Sequence, residues 1–198
     1  MLALKEWSIV CRALEEGKQS ILLRKGGILE YKEGFEISQK IFLVYPTLEH
    51  QSKEYLQQDY LQEFELLLEK NDPNFEDKAN TITILAQIEG IQEFNDESKL
   101  SKLEKYHIWN EKYVNMRMSY NPKKPMNALL LRIYKLPEPI SVKVNPEWAG
   151  CKSWINIELP KINGISFDNI HKLLDRCEPA IKEDDFQKIY DSFTEIWN

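Results

Sequence analysis

The chain has 198 residues, of which 42% are hydrophobic and 11% aromatic, and this is enough apolar material for a sizeable core. Its formal net charge of −6 argues against a general nucleic-acid binder. Three scattered cysteines argue against a disulfide framework or a zinc knuckle. The apolar runs are too short to span a membrane, and the N-terminus lacks a signal-peptide pattern, so we expect a cytoplasmic protein.

Positive charge is concentrated in the second half of the chain. Residues Ser101 to Lys161 include eleven Lys or Arg and five Asp or Glu, a balance of +6, so the remainder carries −12. Such asymmetry is typical of a basic face on an acidic protein, and a solvated lysine-rich surface is the alternative interpretation. The basic segment therefore favours an anionic partner without naming it.

The first half of the chain predicts two helices with strands between them. The predicted elements are a helix over Ala3–Leu14, a strand over Ser20–Arg24, a turn at Gly26-Gly27, a hairpin over Ile28–Ser38, a strand over Lys40–Tyr45 and a helix over Glu49–Lys70. Gly17 marks the end of the first helix, and Pro46 closes the second strand. Thr47 is well placed as the N-cap of the long helix. A turn-rich stretch at residues 71–79 is the best internal boundary.

The second half mixes strands and helices without regular alternation. The predicted elements are a strand over Ala79–Glu93, a helix over Ser98–Ser119, strands over Met126–Lys135, Ile140–Val144 and Ser153–Ile157, and helices over Phe167–Cys177 and Asp184–Trp197. Gly90 predicts a bend in the first of these strands, and Pro137 and Pro139 predict a break after the second. This order favours a single α+β domain over residues 1–198, a small partly closed mixed β-barrel with several helices packed around it.

Six segments together resemble a bacterial family catalogued as domain of unknown function 1802. The matching segments are Ala3-Leu4-Lys5-Glu6-Trp7, Leu22-Leu23-Arg24-Lys25-Gly26-Gly27-Ile28, Tyr45-Pro46-Thr47-Leu48-Glu49-His50-Gln51, His107-Ile108-Trp109, Pro125 through Leu136, and Gly150-Cys151-Lys152-Ser153-Trp154. The resemblance covers nearly the whole chain. It implies no activity and no catalytic residue.

A second, fainter resemblance begins after the first predicted helix. Gly17 and Arg24 match the Gly-x-Lys-x-x-Glu-x-Arg pattern of ASCH domains, Lys18 lies one position before the Lys of that pattern, and Leu22 stands where the pattern has Glu. ASCH domains belong to the PUA-like barrel superfamily, so the resemblance implies a PUA-like core for the predicted barrel. It also implies binding of RNA or modified bases in a cleft on that barrel, an analogy of fold that is weak support for function.

The leading site candidates follow two neighbouring apolar runs. Arg24 and Lys25 precede Gly26 and Gly27, and a turn of this kind exposes backbone N–H groups and two cations to a phosphate. Glu49-His50 follows the second run and offers an acid–base pair or polar contacts to a base. If the two runs are adjacent strands, these side chains converge on one rim. A solvated hairpin and a capped helix start are the alternatives.

Aromatic residues supply the other candidates. His107 and Trp109 offer a hydrogen-bonding group and a stacking platform, whereas burial in the core is the alternative. Trp148 and Trp154 flank Lys152, and this pattern suits a flat ligand that carries a phosphate. Arg132 is a further phosphate contact within the basic segment, and the sequence contains no histidine cluster of the kind that holds a metal.

These residues favour a nucleic-acid or nucleotide-binding module whose partner is RNA, DNA or a nucleotide, with no cofactor and no metal. One alternative is an enzyme acting on a phosphate-containing substrate, nuclease-like, with Glu30, Glu49, Lys25 and His50 as its acid–base set. A second alternative is a non-catalytic protein-interaction domain that uses its acidic and amphipathic helices. The sequence assigns no catalytic residue.

Overall fold

The computed structural model describes residues 1–24, 40–70, 79–95, 97–99, 101–120, 122, 125–150, 152–158 and 170–197. The strands are β1 (Leu2–Trp7), β2 (Ile21–Arg24), β3 (Ile41–Thr47), β4 (Ala79–Phe94), β5 (Met126–Lys143), β6 (Trp154–Asn156) and β7 (Glu178–Pro179). The α-helices are α1 (Ser8–Glu15), α2 (Leu61–Lys70), α3 (Glu111–Ser119), α4 (Ile170–Leu174) and α5 (Glu183–Trp197). Short 3₁₀ helices cover Lys53–Tyr55, Gln58–Tyr60, Glu97–Lys99, Ser101–Tyr106 and Pro146–Trp148. In these ranges, no helix combines the length and apolar content of a membrane-spanning segment.

The seven described strands form one mixed sheet. Its order is β2-β5-β4-β3-β1-β6, and β7 pairs with β5 outside this path. β1 and β3 run parallel, whereas the other described strand pairs are antiparallel. A mixed sheet with helices packed around it confirms the predicted α+β class.

The sheet is curled rather than flat. β2 and β1 are separated by three strands, and in a flat sheet they would lie about 19 Å apart at the usual strand spacing. Arg24 at the end of β2 nevertheless donates a hydrogen bond of 3.0 Å to the carbonyl oxygen of Lys5 in β1. The sheet therefore curls into a half-barrel, in agreement with the predicted partly closed barrel.

The first predicted helix is wrong over its first turn. Residues 3–7 belong to β1, which pairs with β3 on one side and β6 on the other, and α1 begins only at Ser8. Ala, Leu, Lys and Glu favour a helix locally, but two ladders of backbone hydrogen bonds override that preference. Gly17 ends the helix as predicted, because it adopts φ 73° and its amide bonds to the carbonyl of Leu14 at 3.1 Å.

The predicted long helix over Glu49–Lys70 is wrong in its first half, since α2 begins at Leu61. Thr47 is the last residue of β3, and its hydroxyl accepts from the amide of Glu49 at 3.1 Å in a local turn. The backbone N–H of Gln57 donates to the carbonyl of Ile108 at 2.9 Å, and the backbone N–H of Asn110 donates to the carbonyl of Tyr55 at 2.9 Å. These long-range bonds replace the helical ones.

Prolines do not end the strands as expected. β3 continues through Pro46, which faces Glu6 across the parallel ladder. β5 likewise continues through Pro137 and Pro139, where the pairing with β4 shifts between Ile82 and Ile84. The prolines lie in that irregularity, so few ladder bonds are lost there. A second shift between Ile88 and Gly90 accompanies the bend that the glycine predicted.

Two apolar cores pack against opposite faces of the sheet. In β3, Phe42 and Val44 belong to the larger core, whereas Leu43 and Tyr45 belong to the smaller one, as alternation along a strand requires. Helix α5 covers the larger core with Phe186, Phe193 and Ile196, which confirms the amphipathic C-terminal helix. At Gly90 an added Cβ would lie 2.9 Å from Phe193, so this glycine allows the close approach.

The helix predicted over Ser98–Ser119 is divided between the 3₁₀ helix Ser101–Tyr106 and α3, and between them Trp109 forms an isolated bridge with Leu56. Of the helix predicted over Phe167–Cys177, Ile170–Leu174 form α4, and the described residues 175–177 lie beyond its end. Several predictions fall outside the described residues. These are Lys25, the Gly26-Gly27 turn, Glu30, the Ile28–Ser38 hairpin, most of the boundary at 71–79, and Cys151.

Candidate functional site

A buried ion pair lies where β2 meets β1. Arg24 is 9% exposed and Glu6 is 6% exposed, and one guanidinium nitrogen of Arg24 bonds to a carboxylate oxygen of Glu6. The other oxygen of Glu6 accepts from the Trp7 amide at 2.9 Å. These contacts hold the Arg24 guanidinium in one orientation, because moving it would leave a carboxylate buried without its partner.

Tyr113 of α3 connects this ion pair to a second arginine. Burial raises the pKa of Tyr113, the nearby charges of Arg117 and Arg24 lower it, and that of Glu6 raises it further. The Arg117 guanidinium carbon lies 5.6 Å from the centre of the Tyr113 ring. The Nε atoms of Arg24 and Arg117 are both buried and have no hydrogen-bond partner among the described residues. Arg24 and Arg117 are thus two cations that each keep an unused donor, and both influence the charge of Tyr113; guanidinium groups of this kind can bind an anion.

Aromatic rings pack around Tyr113. The Trp109 ring stacks on it at 4.8 Å and 11°, and Trp7 and Tyr55 meet it edge-on at 5.5 Å and 5.9 Å. Trp109 is only 1% exposed. On this side its ring is covered by Tyr113, so the face toward α3 serves packing rather than ligand stacking.

Lys5 organises a second polar cluster on the other side of β1. Its ammonium group bonds to the Glu49 carboxylate at 2.8 Å and to the carbonyl oxygens of Trp148 at 2.6 Å and Gly150 at 3.1 Å. The hydrogen bond from Lys5 lowers the pKa of Glu49. His50, next in sequence, is exposed and has a left-handed φ of 60°, which fixes a sharp turn after β3.

The expected rim is formed only in part. β2 and β3 are not adjacent, since β2 pairs with β5 and β3 with β1 and β4, so the assumption behind the rim is wrong. Arg24 and Glu49 nevertheless both contact Lys5. The Arg24 guanidinium donates to the carbonyl oxygen of Lys5, and the Lys5 ammonium group donates to the Glu49 carboxylate. Strand β1, which sequence reasoning assigned to a helix, is therefore the element that joins them.

The two tryptophans near Lys152 do not form one platform. Trp148 packs edge-on against Tyr45 at 5.7 Å beside the smaller core, and Trp154 packs edge-on against Phe42 at 5.0 Å beside the larger core. Lys152 is exposed and donates to the carbonyl of Glu147 at 2.8 Å. The structure thus separates the rings that the sequence pattern placed around one ligand.

Arg132 lies apart from the Arg24–Tyr113 cluster. It is 4% exposed, bonds to Glu183 of α5 at 2.8 Å, and lies over the Phe186 ring at 4.4 Å. Along β5 it is roughly 17 Å from Asn127, the residue paired with Arg24, and it points to the opposite face. In this structure Arg132 anchors α5.

His107 and Trp109 line a cavity of about 310 Å³ between the 3₁₀ helix Ser101–Tyr106 and α3. His107 is 3% exposed, and burial lowers its pKa to about 4, so the ring is neutral at physiological pH. Both His107 ring nitrogens and the Trp109 indole nitrogen are buried without a well-formed hydrogen bond among the described residues. Buried polar atoms are normally satisfied, so three such atoms beside a cavity point to a bound partner or water.

Sequence reasoning missed four residues that the geometry brings forward. Lys5 and Glu6 were placed on a helix, and Tyr113 and Arg117 were treated as part of an amphipathic helix. The basic segment Ser101–Lys161 is the one sequence signal for these residues. It includes Arg117, but it does not predict which charged side chains lie in contact. Across the described ranges, no group of three or more His, Cys, Asp or Glu side chains is placed to hold a metal ion.

The fold and site define an α+β protein with a curled half-barrel and a polar cluster between its β2 and β1 strands. The chain belongs to the family described as domain of unknown function (DUF1802), whose model matches residues 3–172. This confirms the resemblance drawn from the sequence motifs. Among curated proteins, the comparison found no match.

Solved structures of ASCH from Zymomonas mobilis are similar to the chain. One point mutant has 12% identity and a TM-score of 0.47, covering 89% of this chain and 96% of its own. A second mutant has 11% identity and a TM-score of 0.44, with coverages of 89% and 98%. A further ASCH structure has 14% identity, a TM-score of 0.43, and coverages of 79% and 87%.

Proposed function

We propose that this protein is a nucleic-acid or nucleotide-binding module that contacts phosphate with Arg24 and Arg117. The observation that carries the proposal is that Arg24 of β2 and Arg117 of α3 each keep a buried Nε without a partner among the described residues, and that Arg117 lies over the Tyr113 ring. A guanidinium suits phosphate because it is always charged and presents N–H donors in a fixed fork.

The neighbouring sequence supports the same proposal. Lys25, Gly26 and Gly27 directly follow Arg24 in the sequence, and Lys25 adds a further cation to this segment. The ion pair with Glu6 supplies orientation, since Arg24 does not need to be ordered when a ligand arrives. Glu49 and His50 lie on the other side of Lys5, where they would give polar specificity.

The negative net charge of the protein restricts polyanion binding to the region around the proposed arginine site. The whole protein carries −6, so a polyanion is repelled by most of its surface and attracted only where cations cluster. Arg117 belongs to the basic segment Ser101–Lys161. We therefore expect weak to moderate binding that depends strongly on salt rather than a general affinity for any polyanion.

The test measures binding of the purified protein to labelled single- and double-stranded RNA and DNA, and to ATP, at low and moderate salt. Arg117→Gln is compared with Lys112→Gln, which removes the same charge from the same helix at an exposed position paired with Glu54. We expect Arg117→Gln to weaken binding about tenfold and to lower the salt slope by about 0.7 for a single strand. Lys112→Gln should leave both unchanged.

Folding is checked for both variants by circular dichroism and thermal melting. Arg24→Lys serves as a second probe, because it keeps the charge beside Glu6 while removing the fork and the unused Nε. Folded wild-type protein that shows no salt-sensitive binding to any of these ligands would overturn the proposed function.

A further inference from the structure

Three adjoining depressions lie along the 3₁₀ helix Ser101–Tyr106, and we call this row of depressions the groove. The His107–Trp109 cavity shares Ser101 and Glu104 with an adjoining depression that Lys102 and Lys105 also line. That depression shares both lysines with a third, whose far wall is the end of α5.

Two lysines stand in a row in the middle of this groove. Lys102 and Lys105 are three residues apart in a 3₁₀ helix, which has three residues per turn, so they project from the same side about 6 Å apart along the axis. Both are exposed, and neither forms an ion pair within the described part of the chain. The Lys105 ammonium group lies over the Tyr106 ring at 4.8 Å, so the row offers two cations without a carboxylate partner, and these suit successive phosphates.

The inner end of the groove has different chemistry. His107 and Trp109 bring three buried nitrogens without a well-formed hydrogen bond in the described ranges. A neutral imidazole offers one donor and one acceptor, and the indole adds a donor. Glu104 and Glu111 line the same cavity with exposed carboxylates, which repel a phosphate and accept hydrogen bonds from an amino group. This end fits a neutral, planar group that carries donors and acceptors on its edge.

We propose that the groove binds a single nucleic-acid strand, with phosphates on Lys102 and Lys105 and one base bearing an exocyclic amino group in the His107–Trp109 cavity. Adenine, cytosine and guanine carry such a group, and uracil and thymine do not. The inference rests on the proposed function but places the strand on residues other than Arg24 and Arg117.

The experiment measures affinity of the full chain for labelled oligo(A), oligo(C) and oligo(U) RNA, for oligo(dA) and oligo(dT), and for a duplex. We expect the amino-bearing strands to bind about fivefold or more tightly than oligo(U) and oligo(dT). Free adenosine is added as a competitor. If adenosine competes with the strand, the cavity binds a base that has no phosphate backbone. If adenosine does not compete, binding of the base also requires the lysine contacts. Both outcomes support the inference if the strand preference holds.

Two double variants locate the contacts. Lys102→Gln/Lys105→Gln should weaken single-strand binding about tenfold or more and lower the salt slope by about 1.4, since two phosphate contacts are lost. The matched control Lys53→Gln/Lys188→Gln removes two exposed lysines that are paired elsewhere, and should change neither. Glu104→Gln/Glu111→Gln, at exposed positions, should reduce the preference for amino-bearing bases to less than about twofold.

The results separate this inference from the proposed function. Wild-type protein that binds no nucleic acid overturns both. Binding that falls with Arg117→Gln but not with Lys102→Gln/Lys105→Gln overturns the groove alone. Equal affinity for oligo(A) and oligo(U), or tighter binding of the duplex, also overturns it.

Discussion

Arg24 and Glu6 form a buried ion pair between two strands that are not neighbours in the sheet. Arg24 also bonds to the backbone of Lys5, so both the main chain and a side chain of β1 hold the end of β2. The pair thereby fixes the curl of the half-barrel and orients the guanidinium that we propose for phosphate binding.

The first prediction concerns the stability of this pair. Arg24→Met leaves the Glu6 carboxylate buried without a counter-charge, and we expect the free energy of unfolding to fall by roughly 3–5 kcal/mol. The double variant Glu6→Gln/Arg24→Met should recover most of this loss, because no uncompensated charge remains. Urea denaturation followed by circular dichroism measures the effect.

The control breaks an exposed pair. Lys112→Met removes the partner of Glu54 at the surface, where such pairs contribute less than about 1 kcal/mol. If Arg24→Met costs no more than this control, the pair is not structurally important and the argument for its orienting role is wrong.

The second prediction compares two glycines with positive φ. Gly17 has φ 73°, and an added Cβ would lie 2.9 Å from a side-chain carbon of Ile181, whereas Gly150 has φ 82° and open space around it. We expect Gly150→Ala to cost about 1–2 kcal/mol from backbone strain alone. Gly17→Ala should cost more, because Ile181 must also move.

Thermal melting of the two variants measures this difference directly. Since both substitutions have the same backbone cost, the excess for Gly17→Ala reports the contact between the end of α1 and Ile181. Equal destabilisation would show that the contact relaxes without cost.

The third prediction is a pH dependence that originates at His107. Its pKa is about 4 in the folded protein and near 6.5 in an unfolded chain, so the unfolded chain takes up the proton first as the pH falls. The stability that comes from burying neutral His107 is fully present above about pH 6.5. As the pH falls through about 4, the free energy of unfolding decreases by about 3 kcal/mol in total. The measurement is the unfolding free energy at several pH values, compared with His107→Gln.

Glu104 and Glu111 line the same cavity. They are present in both proteins, so the difference between wild type and variant isolates His107. Parallel curves for wild type and His107→Gln would contradict the prediction.

The fourth prediction concerns Asn110, which caps α3 and joins two segments. Its side-chain oxygen accepts from the Tyr113 amide at 3.1 Å, and its nitrogen donates to the carbonyls of Glu54 at 2.9 Å and Leu56 at 3.0 Å. Asn110→Ala loses the cap and both bonds, so we expect a cost of roughly 2–3 kcal/mol.

Asn145→Ala is the matched control, because Asn145 caps only the short 3₁₀ helix Pro146–Trp148 at an exposed site. Chemical denaturation should show a loss of about 1 kcal/mol or less for this control. A similar loss in the two variants would mean that the bonds to Glu54 and Leu56 add nothing.

Local patterns predicted elements whose stability depends on their own side chains. The apolar stripe of α5 and the stop at Gly17 were both visible in the sequence, because an amphipathic face and a positive φ each need particular residue types. The apolar run of β5 also predicted a strand buried on both faces, and residues 126–133 are all buried.

Long-range pairing decided what those patterns could not. Residues 49–60 look helical, but Gln57 donates its side-chain amide to the carbonyls of Glu104, His107 and Trp109, about fifty positions away. No local periodicity reports such bonds. The prediction of Pro137 and Pro139 as a strand end failed for a related reason, since an irregular ladder accommodates them.

The sequence by itself determined the fold class, the family and the concentration of positive charge, since these depend on composition, short motifs and periodicity. Only the tertiary structure decided that β1 is a strand, that Arg24 pairs with Glu6, and that Arg117 joins them through Tyr113. The physical reason is that a charge buried at a sheet closure is positioned by partners distant in sequence. Which cations remain free for a ligand is settled only when those partners are in place.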